Sequence, residues 1–354
     1  MHIARNSCLA LEQVWLDAFR ETIARCATPP GDPVCLLAEG RSRPVLLALA
    51  EAACLSLGLR PFLCQVPTPA PGPPLPVRST GASQALRGHP GVLSALAASP
   101  LVIDMTVEGL LHAPELPAIL KGGSRVLMVS NEHPDTLARL VPQDADEALV
   151  REHARQLKAA REMRVTSAAG TELTVDMRGA ATAGVWGWTT RPGTVAHWPG
   201  GVVVSFPRAG TVSGRLVLAP GDVNLTFKRY LESAVTLTLK DDHVTAIEGG
   251  GPDAMLMRRY LAGFAAHEGG RSAYAVSHVG YGLNPRARYE ALAFHDREDT
   301  NGTELRCVAG NFLFSTGANE FAGRFTEGHF DIPVFGTTIA LDGEVVVREG
   351  EVVA

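Results

Sequence analysis

A His-x-Asp triplet near the end of the chain, His329-Phe330-Asp331, is a pattern that could bind a metal ion. Successive side chains of an extended strand point to opposite faces, so His329 and Asp331 would share one face. His278 lies upstream beside a glycine-rich turn and could supply a second imidazole. Two neutral imidazoles and one carboxylate, with other coordination positions open, suit the non-haem Fe(II) of an oxygenase. The triplet alone also fits a plain surface strand end with two polar side chains.

The composition of this 354-residue chain is that of a globular enzyme, with 46% hydrophobic and 19% charged residues. A net charge of −5 without a basic stripe argues against nucleic acid as a partner. The six cysteines include no CxxC pair and no zinc-like spacing, which favours reduced core residues. The first residues lack a signal-peptide pattern, and no apolar run is long enough to span a bilayer. We therefore expect a cytoplasmic protein without membrane contact.

The first half of the chain alternates strand-like and helix-like segments, which indicates a mostly parallel sheet covered by helices. Short apolar runs predict buried strands at 34–40, 60–66, 101–106 and 125–130. Helical patterns occupy 8–26, 43–58, 91–100 and 144–163. No GxGxxG motif or P-loop follows a predicted strand, so a nucleotide cofactor is not expected. We assign residues 1–163 to an N-terminal α/β domain, with the proline-rich segment 67–76 as a surface loop.

From residue 164 onward, short alternating runs predict mostly antiparallel strands. The pair Asp342-Gly343 between two such runs is a signal for a type I′ hairpin turn. One amphipathic helix is expected at 253–267. Residues 164–354 are therefore predicted to form a β-rich C-terminal domain that carries the metal site. A cleft between the two domains is the default place for a ligand.

Several segments of the second half resemble one enzyme family. They include TTRPGTVAHWPGGVVVSFP (189–207), DVNLTFKRYLESAVTLTL (222–239), AIEGGGPDAMLMRRYL (246–261), HVGYGLNP (278–285) and GHFDIPV (328–334). The family is the 2,5-dihydroxypyridine 5,6-dioxygenases of bacterial nicotinate breakdown, mononuclear-iron relatives of the aminopeptidase T peptidases. The resemblance extends from about residue 100 to the end of the chain, and before that only the general α/β pattern is shared.

This resemblance implies an Fe(II)-dependent dioxygenase that opens 2,5-dihydroxypyridine with O2, giving N-formylmaleamate. It puts the iron ligands at His278, His329 and Asp331. A substrate-side pair in the N-terminal domain falls on Leu111-His112, with His112 as an acid–base group.

Two further positions follow from the resemblance. Arg306 and Ser315 are expected to hold the aromatic ring and its oxygen substituents, as catalytic and substrate-contacting residues. His197, beside the WPGG segment, and Glu248, in IEGGG, receive no assigned role. The family also suggests a homo-oligomer.

The aminopeptidase T peptidases provide the alternative, a metalloaminopeptidase with a divalent metal site. Those enzymes hold two metals with Glu, His, Tyr and Asp ligands. Here His278 falls where they have a bridging glutamate, and Arg306 falls where they have a ligating histidine. A guanidinium stays protonated and cannot ligate a metal, so one metal is favoured over two. A binding protein that keeps the fold without a metal is a further alternative, and the complete His/His/Asp set argues against it.

Overall fold

The computed structural model describes residues 10–70 and 82–353. In the first half the elements are α1 (Gln13–Arg25), β1 (Pro33–Glu39), α2 (Pro44–Ser56), β2 (Arg60–Val66), α3 (Pro90–Ala97), β3 (Leu101–Asp104), α4 (Leu116–Lys121), β4 (Arg125–Met128), α5 (Pro134–Arg139) and α6 (Asp144–Ala159). Every predicted strand and helix is present, and the predicted loop 67–76 lies partly outside the described residues.

The second half is mostly strand. Its elements are β5 (Glu162–Ser167), β6 (Glu172–Asp176), β7 (Ala181–Val185), β8 (Val195–His197), β9 (Val202–Phe206), β10 (Val212–Leu218), β11 (Val223–Asn224), β12 (Arg229–Tyr230), β13 (Val235–Lys240), β14 (His243–Glu248), α7 (Gly251–Glu268), β15 (Val276–Gly282), α8 (Ala291–Phe294), α9 (Thr303–Cys307), β16 (Phe312–Asn319), β17 (Arg324–Val334), β18 (Thr337–Leu341), β19 (Glu344–Arg348) and β20 (Glu351–Val352).

The N-terminal sheet has five parallel strands in the order β2-β1-β3-β4-β8. The predicted α/β architecture with a parallel sheet is confirmed. Its last strand, β8, comes from beyond residue 163, so the chain returns to this sheet after it has begun the antiparallel part. The domain boundary at residues 163 and 164 stays a prediction.

Two antiparallel sheets build the C-terminal part, as predicted. One has eight strands in the order β14-β13-β10-β6-β5-β18-β19-β20, and the other has five in the order β17-β16-β15-β9-β7. Asp342 and Gly343 form the turn between β18 and β19, both with positive φ, as a type I′ turn requires. One apolar core contains side chains from both sheets and from α7, including Val165, Phe314 and Tyr260.

The cysteines and the longest helices bear on two expectations from the sequence, which were reduced thiols and no membrane-spanning segment. Cys26, Cys35, Cys54, Cys64 and Cys307 are free thiols, and Cys8 lies outside the described residues. Among the helices that the structure describes, none is both long enough and apolar enough to cross a bilayer.

A buried carboxylate after β4 joins the parallel sheet to the C-terminal part. Glu132 is fully buried. Its Oε1 accepts hydrogen bonds from the Thr300 hydroxyl (2.9 Å) and the Asn301 N–H (3.2 Å), and its Oε2 accepts one from the Thr303 N–H (3.1 Å). Thr303 is the first residue of α9, the helix that carries Arg306. Glu132 therefore fixes the start of that helix.

We predict that Glu132→Ala lowers the free energy of unfolding by about 2–4 kcal/mol, because three buried donors lose a charged acceptor. Urea titration followed by circular dichroism measures the change. Glu248→Ala is the matched control: this glutamate is exposed at the end of β14, so its replacement should alter stability by no more than about 0.5 kcal/mol. Equal losses of unfolding free energy in the two variants would show that Glu132 does not stabilise the start of α9.

Candidate metal centre

Three adjacent strands bring the predicted metal residues together. His329 and Asp331 lie on β17, His278 lies on β15, and β16 runs between these two strands. The register puts Gly317 of β16 opposite His329, and Ser315 opposite Asp331. Directly paired residues of antiparallel strands point to the same face. The central strand therefore presents only small side chains where the three larger ones converge.

A β-bulge directs His278 toward this face. The pairing of β15 with β16 shifts between Val276 and Val279, so two residues of β15 oppose one residue of β16. The His278 N–H donates to the Ser315 hydroxyl oxygen (3.1 Å), and that hydroxyl lies 3.4 Å from the His278 carbonyl oxygen. Bulges next to functional sites re-aim side chains in this way. The Ser315 hydroxyl, predicted to contact substrate, is thus directed at the backbone of His278.

The side-chain atoms of these residues suit one divalent cation. Asp331 Oδ1 lies 3.1 Å from His329 Nε2 and 3.6 Å from His278 Nε2. Asp331 Oδ1 and both His329 ring nitrogens are buried without a hydrogen-bond partner among the described residues. Adjacent ligands about 2.1 Å from one metal lie about 3.0 Å apart. The 3.1 Å separation matches this value and the 3.6 Å separation is somewhat longer, and a shared cation would satisfy Asp331 Oδ1 and His329 Nε2.

His112 reaches the same place from the N-terminal half. Its ring centroid lies 4.0 Å from that of His329 and 5.9 Å from that of His278. Ligand atoms of the three histidines all lie within 4.8 Å of one another, so this trio could also hold a metal. Two ligand sets are therefore geometrically possible, one completed by Asp331 and one by His112. Only folding brings His112 here, and no local sequence signal reports such a contact.

The loop that carries His112 is wrapped around a buried carboxylate. Asp104 ends β3, and its Oδ1 accepts from the Thr106 N–H (2.9 Å) and the Thr106 hydroxyl (2.7 Å). Its Oδ2 accepts from the Leu110 N–H (2.9 Å), and burial raises the pKa of Asp104 to about 6. The next two residues are Leu111 and His112, both half-buried. Ligands of open α/β sheets bind at such carboxyl ends of strands.

Burial also controls the charge of the histidines. It lowers the pKa of His278 to about 3, and burial together with the nearby His329 lowers the pKa of His112 well below its usual value. Both imidazoles are therefore neutral at neutral pH, the form that ligates a metal or accepts a proton. Burial alone would raise the pKa of Asp331, but His329 and Arg306 outweigh it and hold that pKa well below its usual value.

Arg306 contacts the candidate metal centre through the carboxylate of Asp331. Its Nε donates to Asp331 Oδ2 over 2.7 Å, which leaves Oδ1 directed at the imidazoles.

His197 and Glu248, which received no role from the sequence, lie in different surroundings. His197 ends β8, and its Nδ1 lies 2.5 Å from the Pro199 carbonyl oxygen. Burial lowers the pKa of His197 to about 4, and the charges of Arg306 and Asp331 also act on it. Glu248 is exposed at the end of β14.

Similarity to known proteins identifies the family to which this chain belongs. The sequence profile of the 2,5-dihydroxypyridine 5,6-dioxygenase family matches residues 14–354. The chain belongs to this family. It is 39% identical over 272 residues to the 2,5-dihydroxypyridine 5,6-dioxygenase of Pseudomonas putida KT2440, covering 76% of this chain and 75% of that protein. The resemblance inferred from the sequence is confirmed.

Two solved structures are similar to this fold. The 2,5-dihydroxypyridine dioxygenase from Pseudomonas putida KT2440 superimposes with a TM-score of 0.88 at 32% identity, over 96% of this chain and 97% of that one. AmpT from Thermus thermophilus superimposes with a TM-score of 0.63 at 13% identity, over 98% of this chain and 100% of that one. The second likeness shows a shared fold, as the predicted kinship with aminopeptidase T requires.

We predict that Gly317→Ala weakens divalent-metal binding by about tenfold or more, the loss typical when support of a ligand is disturbed. A Cβ at this position would collide with the Gly328 carbonyl oxygen and lie 3.1 Å from His329 Nδ1. Gly323→Ala is the control, because Gly323 also has positive φ but no atom within 4 Å of an added Cβ. Anaerobic Co(II) titration of both variants measures the effect, and equal affinities would contradict it.

Proposed function

We propose that this chain is an Fe(II)-dependent dioxygenase that converts 2,5-dihydroxypyridine and O2 to N-formylmaleamate in nicotinate degradation. The observation that carries the proposal is the convergence of His278, His329 and Asp331 in a member of this dioxygenase family. Two imidazoles and one carboxylate leave coordination positions for substrate and O2, the arrangement typical of non-haem Fe(II) oxygenases. The reaction breaks the bond between ring carbons 5 and 6, and both oxygen atoms enter the product.

In this proposal the protein binds, orients and deprotonates the ring. Bound Fe(II) would supply a template for ring and O2 and a route for electrons between them. His112 is neutral, lies against His329 and can take the proton of a ring hydroxyl. Leu111, next to it on the same turn, would contact the ring.

In this proposal Arg306 and Ser315 each support a proposed metal ligand and also contact the substrate. The Arg306 guanidinium bonds Asp331 and would offset negative charge on the deprotonated ring. The Ser315 hydroxyl accepts a hydrogen bond from the His278 N–H and so supports the bulge at His278. Its proposed second contact is with a ring oxygen of the substrate.

The pairing of Arg306 with Asp331 supports one metal instead of two. A second cation at this carboxylate would need Oδ2, and the guanidinium already occupies that oxygen at 2.7 Å. A guanidinium keeps its proton and repels a nearby cation. The two-metal aminopeptidase reading is therefore less well supported than the mononuclear one.

We predict that anaerobically reconstituted protein binds about one Fe(II) per chain, as a single facial site requires. It should consume O2 with 2,5-dihydroxypyridine, as an oxygen electrode records. His329→Ala and Asp331→Ala should lose both iron and O2 uptake, whereas His267→Ala, at an exposed histidine, should keep both. Two metals per chain together with hydrolysis of aminoacyl substrates would overturn the dioxygenase assignment.

We predict that His112→Ala retains iron near the wild-type level while its turnover falls by ~10²-fold or more, the loss expected for a positioned proton carrier. Iron content is measured by metal analysis, and turnover by loss of substrate absorbance. If iron is lost together with activity, His112 belongs to the ligand set that it can geometrically join. If neither changes, the proton-transfer role passes to another group, and His197→Ala is the next variant to measure.

A further inference from the structure

We infer that Tyr260 is a positioning residue that holds His329 through its backbone and so determines how well the metal is bound. The inference rests on the proposed metal site. Tyr260 lies on α7 and is fully buried. Its hydroxyl donates to the His329 carbonyl oxygen (2.8 Å) and accepts from the His329 N–H (3.0 Å). One phenol oxygen thus satisfies both polar backbone groups of a single residue.

The position of β17 in its sheet explains why such a contact is needed. This strand is at the edge of the five-stranded sheet, and among the strands that the structure describes its ladder partner in that sheet is β16. An edge strand presents N–H and C=O groups that no further strand can pair. Buried backbone groups of this kind need partners. Tyr260 provides them at His329, and the Leu225 N–H does so two residues later, at the Asp331 carbonyl oxygen (3.2 Å).

The imidazole of His329 has little polar support of its own. Its Nε2 faces Asp331 Oδ1, the other proposed ligand of this strand, at 3.1 Å, and its Nδ1 has no hydrogen-bond partner within the described part of the chain. Metal-bound histidines usually donate the second ring N–H to a carboxylate or carbonyl, which fixes the ring. Here the ring lies over Gly317 and against His112. The direction of Nε2 therefore depends on the position of the backbone, and Tyr260 holds that backbone.

The phenol ring of Tyr260 is itself firmly packed. It contacts Phe264, Phe330 and Phe227, with ring centroids 4.9, 5.2 and 6.0 Å away. Phe330 is the residue between the two proposed ligands of β17. Removing this oxygen alone would leave the aromatic packing in place.

The test compares Tyr260→Phe with Tyr281→Phe. Tyr281 is also fully buried, and its hydroxyl lies 3.1 Å from His153 Nδ1, a contact that involves no proposed ligand. Each variant loses one buried hydroxyl, but Tyr260→Phe leaves two backbone groups unpaired and Tyr281→Phe leaves one ring nitrogen, so a somewhat larger loss of stability is expected for Tyr260→Phe in urea titrations of the metal-free proteins. Anaerobic Co(II) titration should show about 10–100-fold weaker binding for Tyr260→Phe, the range typical of outer contacts of metal ligands. Tyr281→Phe should bind as the wild type does, with an unchanged visible Co(II) spectrum.

Amide hydrogen exchange of metal-free protein tests the backbone contact without any metal. The peptide covering 326–331 should exchange faster in Tyr260→Phe than in Tyr281→Phe or wild type. Wild-type protein that binds no metal would refute the proposed function, whereas the exchange result would still decide the role of Tyr260. Unchanged exchange, or equal Co(II) affinities in both variants and wild type, would overturn the inference.

Discussion

The candidate metal centre depends on the small size of two side chains on β16. Gly317 and Ser315 lie directly opposite His329 and Asp331 and between those residues and His278. A larger side chain at either position would fill the space into which the imidazoles and the carboxylate turn. At Gly317 even one Cβ would meet the neighbouring strand, and its φ of +133° favours glycine. The arrangement therefore needs a middle strand with small residues, flanked by the two strands that carry the proposed ligands.

The same sheet has two different buried faces. On β17, Phe330 and Ile332 enter the apolar core that both C-terminal sheets share, while the alternating His329 and Asp331 lie on the other face, where His329 contacts His112 of the N-terminal half. Burial of the apolar side chains fixes the register, and the register fixes which face carries the polar ones. Glu132 links the two halves by holding the start of α9, whereas Asp104 holds the loop of His112 within the parallel-sheet half.

Periodicity alone predicted the parts of this structure that depend on local pattern. Alternation gave both sheet types, and it correctly put His329 and Asp331 on one face of a strand. Contacts between segments that are distant in sequence leave no periodic pattern from which they could be predicted. The pairing of Arg306 with Asp331, the approach of His112 and the return of β8 to the parallel sheet arise from tertiary packing. Tyr260 is similar: it lies within the amphipathic helix expected at 253–267, but that pattern did not indicate that its hydroxyl bonds the backbone of His329.

The charge of the proposed centre follows from the environment of Asp331. With neutral imidazoles, one carboxylate (−1) and Fe(II) (+2) leave a net charge of +1, and the Arg306 guanidinium (+1) raises it to +2. Burial strengthens these interactions relative to water. The centre therefore favours an anionic ligand, such as a hydroxypyridine that has lost a ring proton. Because a neutral His112 beside the ligands can accept that proton, deprotonation and binding of the ring would assist each other. An uncharged substrate without an acidic hydroxyl would gain little from this arrangement.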